Sequence, residues 1–138
     1  MKRLYLDTGP VIALLRKNDS AHKHVKKYFA SVRASGIRLV TAEAVISEAA
    51  TRIRYDCGLH LIPEVDKFIT SAIAYGLLEV RDITNGERHR AFQVMYQFGS
   101  LSLSYADAVG AVIAQAEETD GVFSLDNDFR VMGFEVVP

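Results

Sequence analysis

Four acidic residues stand where their side chains could do chemistry. Asp7 directly follows a short apolar run, and Asp126 follows the run 121–124 after one intervening residue. Glu48 and Asp107 lie in segments with helical periodicity, each beside a stripe of apolar residues. Carboxylate oxygens without a cysteine or histidine cluster suit a hard cation such as Mg²⁺, which keeps several waters and uses one or two carboxylates directly. These acids are therefore candidate ligands of a divalent cation.

A cluster of such acids would be costly without a cation. Two carboxylates about 6 Å apart repel by about 3 kcal/mol at an effective dielectric near 20. A bound metal would relieve that repulsion, polarise a phosphate and lower the pKa of a coordinated water. The sequence alone does not give the number of ions.

Each of these acids also has an ordinary structural alternative. Asp7 could cap the helix that follows it. Ser104 and Asp107 have the spacing of a capping box. Glu48 could form an exposed ion pair with Arg52 one helical turn later, which would contribute only a few tenths of a kcal/mol, roughly.

Two other acids compete with the candidates. Glu43 lies in the same helical segment as Glu48, and Asp128 follows Asp126 after one residue. Asp126 could itself cap the short turn that comes next. Local patterns therefore leave the choice of acids open.

The elements that must position these acids alternate along the chain. Apolar runs predict strands at residues 3–6, 37–40, 77–81, 121–124 and 134–137. The first predicted helix follows Asp7 and has Pro10 in its first turn, where a missing N–H does no harm. Further helices are predicted near residues 20–35, 42–55, 63–75, 85–97 and 105–118, the first of these ended by Gly36.

This alternation favours a parallel sheet with helices on both faces, because a crossover between parallel strands needs about a dozen residues. No linker or repeat divides residues 1–138, so we expect one α/β domain. Ligands bind at the carboxyl ends of such strands, where Asp7 and Asp126 would both emerge.

Taken in order, four segments resemble the four acidic motifs of the PIN-domain family, over nearly the whole chain. They are residues 6–15 (LDTGPVIALL), 41–48 (TAEAVISE), 104–111 (SYADAVGA) and 124–129 (SLDNDF). The resemblance selects Asp7, Glu48, Asp107 and Asp126 as the site residues. It makes Glu43 and Asp128 the less favoured acids.

The resemblance implies a three-layer α/β/α fold with a central, mostly parallel sheet of about five strands. It further implies a ribonuclease that uses Mg²⁺ or Mn²⁺ and leaves a 5′-phosphate and a 3′-hydroxyl. Asp7 and Asp107 would be the most direct ligands, while Glu48 and Asp126 would hold coordinated waters or a second ion.

Supporting residues and partners are also predicted. Thr8 and Ser124 are candidate hydrogen-bond partners of the ligating acids. The small size resembles the VapC-like toxins of VapBC pairs, which implies an RNA substrate, an antitoxin partner and a homodimer. Apolar residues near the third and fourth helices could form the dimer contact or belong to the core: Leu59, Leu61, Ile62, Phe68 and Ile69.

Composition restricts the other classes of function. The chain has 138 residues, 49% of them hydrophobic, and a formal net charge of −1, which does not indicate a protein that coats nucleic acid. Local basic groups occur at residues 16–27 and 88–90, where a solvated helix face is the ordinary explanation. Cys57 is the only cysteine, so we expect a reducing, cytoplasmic setting. The apolar run 11–15 is too short to span a membrane.

Three rival functions remain. A haloacid dehalogenase-type phosphatase would need a second aspartate at position 9, which is Gly9. A receiver domain would need adjacent acids in its opening loops and a late lysine after a strand, whereas the strand-end residues here are Ser124 and Asp126. A PIN fold acting mainly as a binding or scaffold module is the stronger alternative, although the intact acids favour an enzyme.

Overall fold

The computed structural model describes residues 2–138, and five strands form one sheet within them. The strands are β1 (Arg3–Leu6), β2 (Arg38–Ala42), β3 (Leu78–Arg81), β4 (Gly121–Phe123) and β5 (Val136–Val137). Their spatial order is β3-β2-β1-β4-β5, and every neighbouring pair is parallel. The predicted α/β sheet of about five strands is confirmed, with all of its strands parallel.

Helices connect the strands and cover both faces of the sheet. They are α1 (Thr8–Leu15), α2 (His22–Ala34), α3 (Glu43–Asp56), α4 (Ile62–Ala74), α5 (Asn85–Gln97), α6 (Tyr105–Ala116) and α7 (Asp128–Val131). Single 3₁₀ turns at Leu59–Leu61 and Gly99–Leu101 precede α4 and α6. Gly36 follows α2 with φ 68°, as its predicted capping role requires. The segment after Asp126, predicted as a turn, contains the short helix α7.

The side chains of β1 alternate between two apolar layers. Leu4 and Leu6 belong to a core that includes Val25 of α2, whereas Tyr5 points into a second core that includes Val109 of α6. Leu4, Tyr5 and Leu6 are each at most 2% exposed. A parallel strand buried on both faces is what a three-layer α/β/α architecture produces.

Helix α6 lies directly against β1. A Cβ atom added at Gly110 would come within 2.8 Å of Cε1 of Tyr5, so a larger residue at this position would displace the helix. This close approach brings the first turn of α6, which contains Asp107, towards the carboxyl end of β1. The glycine thus helps to position a candidate site residue.

The carboxyl ends of β1 and β4 are also held together. Leu6 pairs with Phe123, and the Asp7 amide donates a hydrogen bond to the Phe123 carbonyl at 3.0 Å. Asp7 and the residues after β4 therefore emerge at the same edge of the sheet. Among the helices of residues 2–138, none has the length and apolar character to cross a membrane.

Candidate active site

Asp7 is a buried acid at the end of β1. Its side chain is 4% exposed, and within the described residues it does not cap α1. The Ser124 hydroxyl instead donates a hydrogen bond to Asp7 Oδ2 at 2.7 Å, as the sequence predicted. Thr8 was also predicted to form a hydrogen bond with a ligating acid. Its hydroxyl is buried and has no hydrogen-bond partner among residues 2–138.

The environment of Asp7 opposes its negative charge. Burial raises the pKa of Asp7 to about 6, although hydrogen bonds from the Ser124 hydroxyl and the Thr8 amide act in the opposite direction. The charges of Asp107 and Glu48 raise this pKa further. A cation in the same space would offset both effects and favour the ionised form of Asp7.

Ser104 forms hydrogen bonds with both Asp107 and Glu48. The Asp107 amide donates to Ser104 Oγ at 3.0 Å, and the Ser104 amide donates to Asp107 Oδ2 at 2.9 Å, so the predicted capping box is present. The Ser104 hydroxyl also donates to Glu48 Oε2 at 3.5 Å. The ordinary ion pair of Glu48 with Arg52 is formed as well, at 3.8 Å.

Asp126 is joined to Asp7 through Ser124. The Ser124 oxygen that donates to Asp7 also accepts the Asp126 amide at 2.9 Å. Asp126 Oδ1 in turn accepts the Asp128 amide at 2.9 Å, which is the predicted turn-capping role. Asp128 and Glu43 are the two less favoured acids. Burial raises the pKa of Asp128, and the neighbouring charges of Asp126 and Asp107 raise it further. Glu43 is exposed on α3.

All four predicted acids line one cleft of about 520 Å³ at the carboxyl edge of the sheet. Their segments are far apart in sequence, and the parallel topology brings them to the same place. Asp19 lines this cleft too, and sequence reasoning did not select it. Asp19 accepts the Ala21 amide at 2.8 Å, so it has the pattern of an ordinary turn residue and no local signal that marks a site.

The donor set fits a hydrated divalent cation. Among residues 2–138, no three His, Cys, Asp or Glu side chains converge closely enough to form a complete cation site. Mg²⁺ does not require such convergence, since it keeps several waters and binds one or two carboxylates directly. A cleft lined by hard oxygen donors, with the pKa of Asp7 raised by burial, suits such an ion.

The fold and the cleft define an α/β/α protein with a parallel sheet and an acidic cleft at the carboxyl edge of that sheet. The sequence shows the family to which the chain belongs. A family model described as "PIN domain" matches residues 4–135, so the chain belongs to the PIN domain family. No curated protein matches the sequence closely enough to count as a relative.

Two solved structures have the same fold. The toxin VapC20 of Mycobacterium tuberculosis, described as cleaving the sarcin-ricin loop, is 21% identical and has a TM-score of 0.80, with 96% of each chain covered. A chain of VapBC2 from Rickettsia felis, bound to a DNA fragment from its promoter, is 14% identical and has a TM-score of 0.65. That match covers 98% of this chain and 97% of the other. At such identities the likeness establishes the fold.

Proposed function

We propose that this PIN domain is a Mg²⁺- or Mn²⁺-dependent endoribonuclease. The observation that carries the proposal is the cleft itself, which gathers acids from four distant segments at the carboxyl ends of β1 and β4. The structural use of each single acid does not explain why Asp7, Glu48, Asp107 and Asp126 share one cleft, because like charges at close range oppose folding. A site for a cation and a phosphodiester explains their proximity.

The acids have separate roles in this proposal. By the chain's resemblance to the family, Asp7 and Asp107 would be the direct ligands of the ion, and Glu48 and Asp126 would hold coordinated waters or a second ion. A bound divalent cation would supply the positive charge that phosphodiester hydrolysis needs. The Ser124 hydroxyl orients the Asp7 carboxylate through its 2.7 Å hydrogen bond, and Ser104 aligns Asp107 with Glu48.

A biological setting follows as part of the same proposal. One of the two similar structures is VapC20, described as a toxin that cleaves the sarcin-ricin loop, and the other is VapBC2 bound to a DNA fragment from its promoter. We therefore propose a VapC-like toxin that acts in the cytoplasm as a single domain and is inhibited by an antitoxin. Finding a small DNA-binding protein encoded by the neighbouring gene would support this assignment.

The homodimer stays a prediction. Leu59 is 64% exposed, whereas the other four apolar residues named for the contact pack at least partly against the core. The ordinary core explanation therefore accounts for most of that set. Light scattering across micromolar concentrations tests the prediction, and a particle of 15.3 kDa throughout would contradict it.

The scaffold alternative has its own support. Asp107 is engaged in a capping box, Asp126 caps a turn and Glu48 pairs with Arg52, so each has a structural use without a metal. Such a module would bind RNA or a protein and would not cut RNA. Cleavage is therefore the property that separates the two functions.

The test is RNA cleavage by the purified protein. Structured and unstructured RNAs are incubated with Mg²⁺, with Mn²⁺ and with EDTA, and the ends of the products are identified. If the protein is a nuclease, we expect cleavage with either metal, no cleavage with EDTA, and products that carry a 5′-phosphate. RNA binding without cleavage in all three conditions would favour the scaffold.

A further inference from the structure

Thr8 carries a buried hydroxyl that the fold leaves without a hydrogen bond. The residue is 3% exposed, and its Oγ1 atom has no partner among residues 2–138. Such a group has lost the hydrogen bonds of water without gaining others, which destabilises the folded state. Thr8 also lines the acidic cleft, beside Asp7. The hydroxyl therefore lies where a ligand of the cleft could supply the missing partner.

Thr8 is the first residue of α1, and the positive end of this helix has no capping side chain. Asp7 precedes the helix but makes no side-chain cap, and the first turn contains no acid. The first amides of a helix have no partner within it, and with the helix dipole they favour an anion. The Thr8 amide faces the Asp7 carboxylate, and Pro10 has no N–H, which leaves the Gly9 amide as a donor.

Gly9 leaves space for a ligand at the same place. Its φ is not positive, so its backbone conformation does not require glycine. A Cβ atom added at Gly9 would have its three nearest neighbours in the Leu125 side chain, 3.5 to 3.7 Å away, which is ordinary contact. Alanine would stabilise the helix more than glycine does. Gly9 and Leu125 both line the cleft, so the missing side chain opens room on its wall.

We propose that the start of α1 is a phosphate seat, formed by the Thr8 hydroxyl and the Gly9 amide. Both groups donate hydrogen bonds to non-bridging oxygens of the scissile phosphate. The proposal rests on the ribonuclease function and assigns the residues that hold the phosphate, a role for which carboxylates have the wrong charge. Five carboxylates line the same cleft, so the seat should hold phosphate together with a divalent cation and not in EDTA.

The first test compares two buried threonines by urea denaturation in EDTA, without RNA. Thr8→Val keeps the shape of the side chain but removes the unpartnered hydroxyl. Thr41 is the matched control, because it is 1% exposed and its hydroxyl donates to the Leu6 carbonyl at 2.7 Å. The urea midpoint should be at or above the wild-type value in Thr8→Val and below it in Thr41→Val. A lowered midpoint in Thr8→Val would give its hydroxyl a structural role and overturn the proposal.

The second test measures cleavage of an oligoribonucleotide with Mn²⁺. Loss of a hydrogen bond to a charged phosphate should lower kcat/KM of Thr8→Val roughly 10- to 100-fold. Thr8→Ser keeps the hydroxyl and should retain most of the activity. Gly9→Ala should lose activity without losing stability, because its methyl group enters the seat. Wild-type kcat/KM in Thr8→Val, or an equal loss in Thr8→Ser, would overturn the proposal.

A phosphorothioate substrate tests the contact with the phosphate directly. Sulfur replaces one non-bridging oxygen of the scissile phosphate and accepts hydrogen bonds weakly. For one diastereomer, the ratio of the oxygen to the sulfur rate should be smaller in Thr8→Val than in the wild type. Unchanged ratios for both diastereomers would place Thr8 away from the phosphate and overturn the proposal.

The underlying function fails separately from the seat. Absence of metal-dependent cleavage by the wild type would refute the nuclease, and with it a seat for a scissile phosphate. Metal-dependent cleavage that is equal in the wild type and in Thr8→Val would refute the seat alone.

Discussion

Strand β1 connects two charged regions with opposite properties. At its start, Arg3 belongs to an ion-pair network that we define as Arg3, Glu79, Arg81, Glu87 and Glu117. Arg3 lies 3.5 Å from Glu79 and 3.1 Å from Glu117. At its end, Asp7 enters the acidic cleft, where its hydrogen-bond partner is a neutral hydroxyl.

Asp7 and Glu87 make the comparison sharp because each is 4% exposed. The hydrogen bonds from Arg81 lower the pKa of Glu87 to about 2, and the Thr84 amide lowers it too, against the effect of burial. Burial raises the pKa of Asp7 to about 6, since no cation lies against it among the described residues. Equal exposure therefore does not imply an equal pKa: Asp7 lies deep in the protein without a cation against it among residues 2–138, whereas Glu87 lies closer to the surface and is paired with Arg81.

The two regions divide stability from function. The network pairs its carboxylates with guanidinium groups and ties α5 and α6 to the sheet. Among the described residues, the cleft is lined by five carboxylates but by Arg52 as its single guanidinium. We infer that charge left uncompensated in the folded protein is available to bind a cation.

The largest effect should come from removing an acid of the cleft. In Asp107→Asn the fold should survive because the amide oxygen of asparagine can still accept the hydrogen bond that the Ser104 amide donates in the capping box. Metal-dependent cleavage should fall at least about a hundredfold, since loss of a residue that only supports a ligand already costs roughly 10- to 100-fold. Initial rates with Mn²⁺ measure this.

Glu48→Gln should show a comparable loss of cleavage, and the same helix offers its control. Glu43 is an exposed acid on α3, so Glu43→Gln should retain wild-type cleavage. Equal activity of the Glu48→Gln and Glu43→Gln proteins, at matched purity and circular dichroism, would contradict the role of Glu48.

The next effect concerns the network. Arg81→Met leaves Glu87 buried without its cationic partner, and we expect the free energy of unfolding to fall by about 3 kcal/mol. Urea denaturation at pH 7 measures it. The double variant Arg81→Met with Glu87→Met should recover part of the loss, because it removes the unpaired charge; no recovery would show that Arg81 acts through packing alone.

The Arg81–Glu87 pair also makes the free energy of unfolding depend on pH. The folded pKa of Glu87, about 2, lies below its ordinary value of 4.5. Its contribution is therefore complete above about pH 4.5 and is lost as the pH falls towards 2. Between pH 5 and 3, the wild type should lose stability more steeply than Arg81→Met, and parallel curves would refute the assignment.

Asp7 should behave in the opposite way in EDTA. Its folded pKa of about 6 lies above its ordinary value of 3.8, so the folded state holds the proton more tightly. Wild-type stability should therefore fall as the pH rises from about 4 to 6. At pH 8, Asp7→Asn should be more stable by roughly 2 to 3 kcal/mol, a difference that should vanish near pH 4.

Metal should reverse this ranking. A cation that binds only the folded state stabilises it according to occupancy, so millimolar Mn²⁺ should raise the melting temperature of the wild type more than that of Asp7→Asn. The comparison needs thermal scans of both proteins with EDTA and with Mn²⁺. Identical metal-induced shifts would argue against ligation by Asp7.

The smallest effect should come from the Glu48–Arg52 pair. The two groups are 3.8 Å apart, and the Arg52 side chain is 52% exposed. Such a pair contributes roughly 0.2–0.5 kcal/mol, so Arg52→Ala should leave the unfolding free energy nearly unchanged. A loss above about 1 kcal/mol in urea denaturation would place Arg52 with the network as a structural charge.

Much of the fold could be predicted from local patterns. Apolar runs indicated all five strands, and helical periodicity gave α5 with its observed bounds, Asn85–Gln97. Ser104 and Asp107 form the capping box that their spacing predicts. These features depend on residues close together in sequence, and so a single sequence contains their signal.

Other features depend on contacts that the sequence does not encode locally. Arg3 and Glu117 are 114 residues apart, and no periodicity indicates that they pair. Asp19 reaches the cleft from a loop with an ordinary turn pattern. Thr8 was expected to bond, yet the tertiary structure buries its hydroxyl without a partner among residues 2–138. Such contacts follow from how distant elements pack.

The hydrogen bond between Ser124 and Asp7 has a consequence for the synthesis of this protein. Its two residues are 117 positions apart, and the amino-terminal part of a chain leaves the ribosome first. A nascent chain that ends before Gly121 has no β4, no hydroxyl to hold Asp7 and no Asp126. The proposed nuclease therefore cannot complete its cleft on the ribosome until residues 121–126 have been translated.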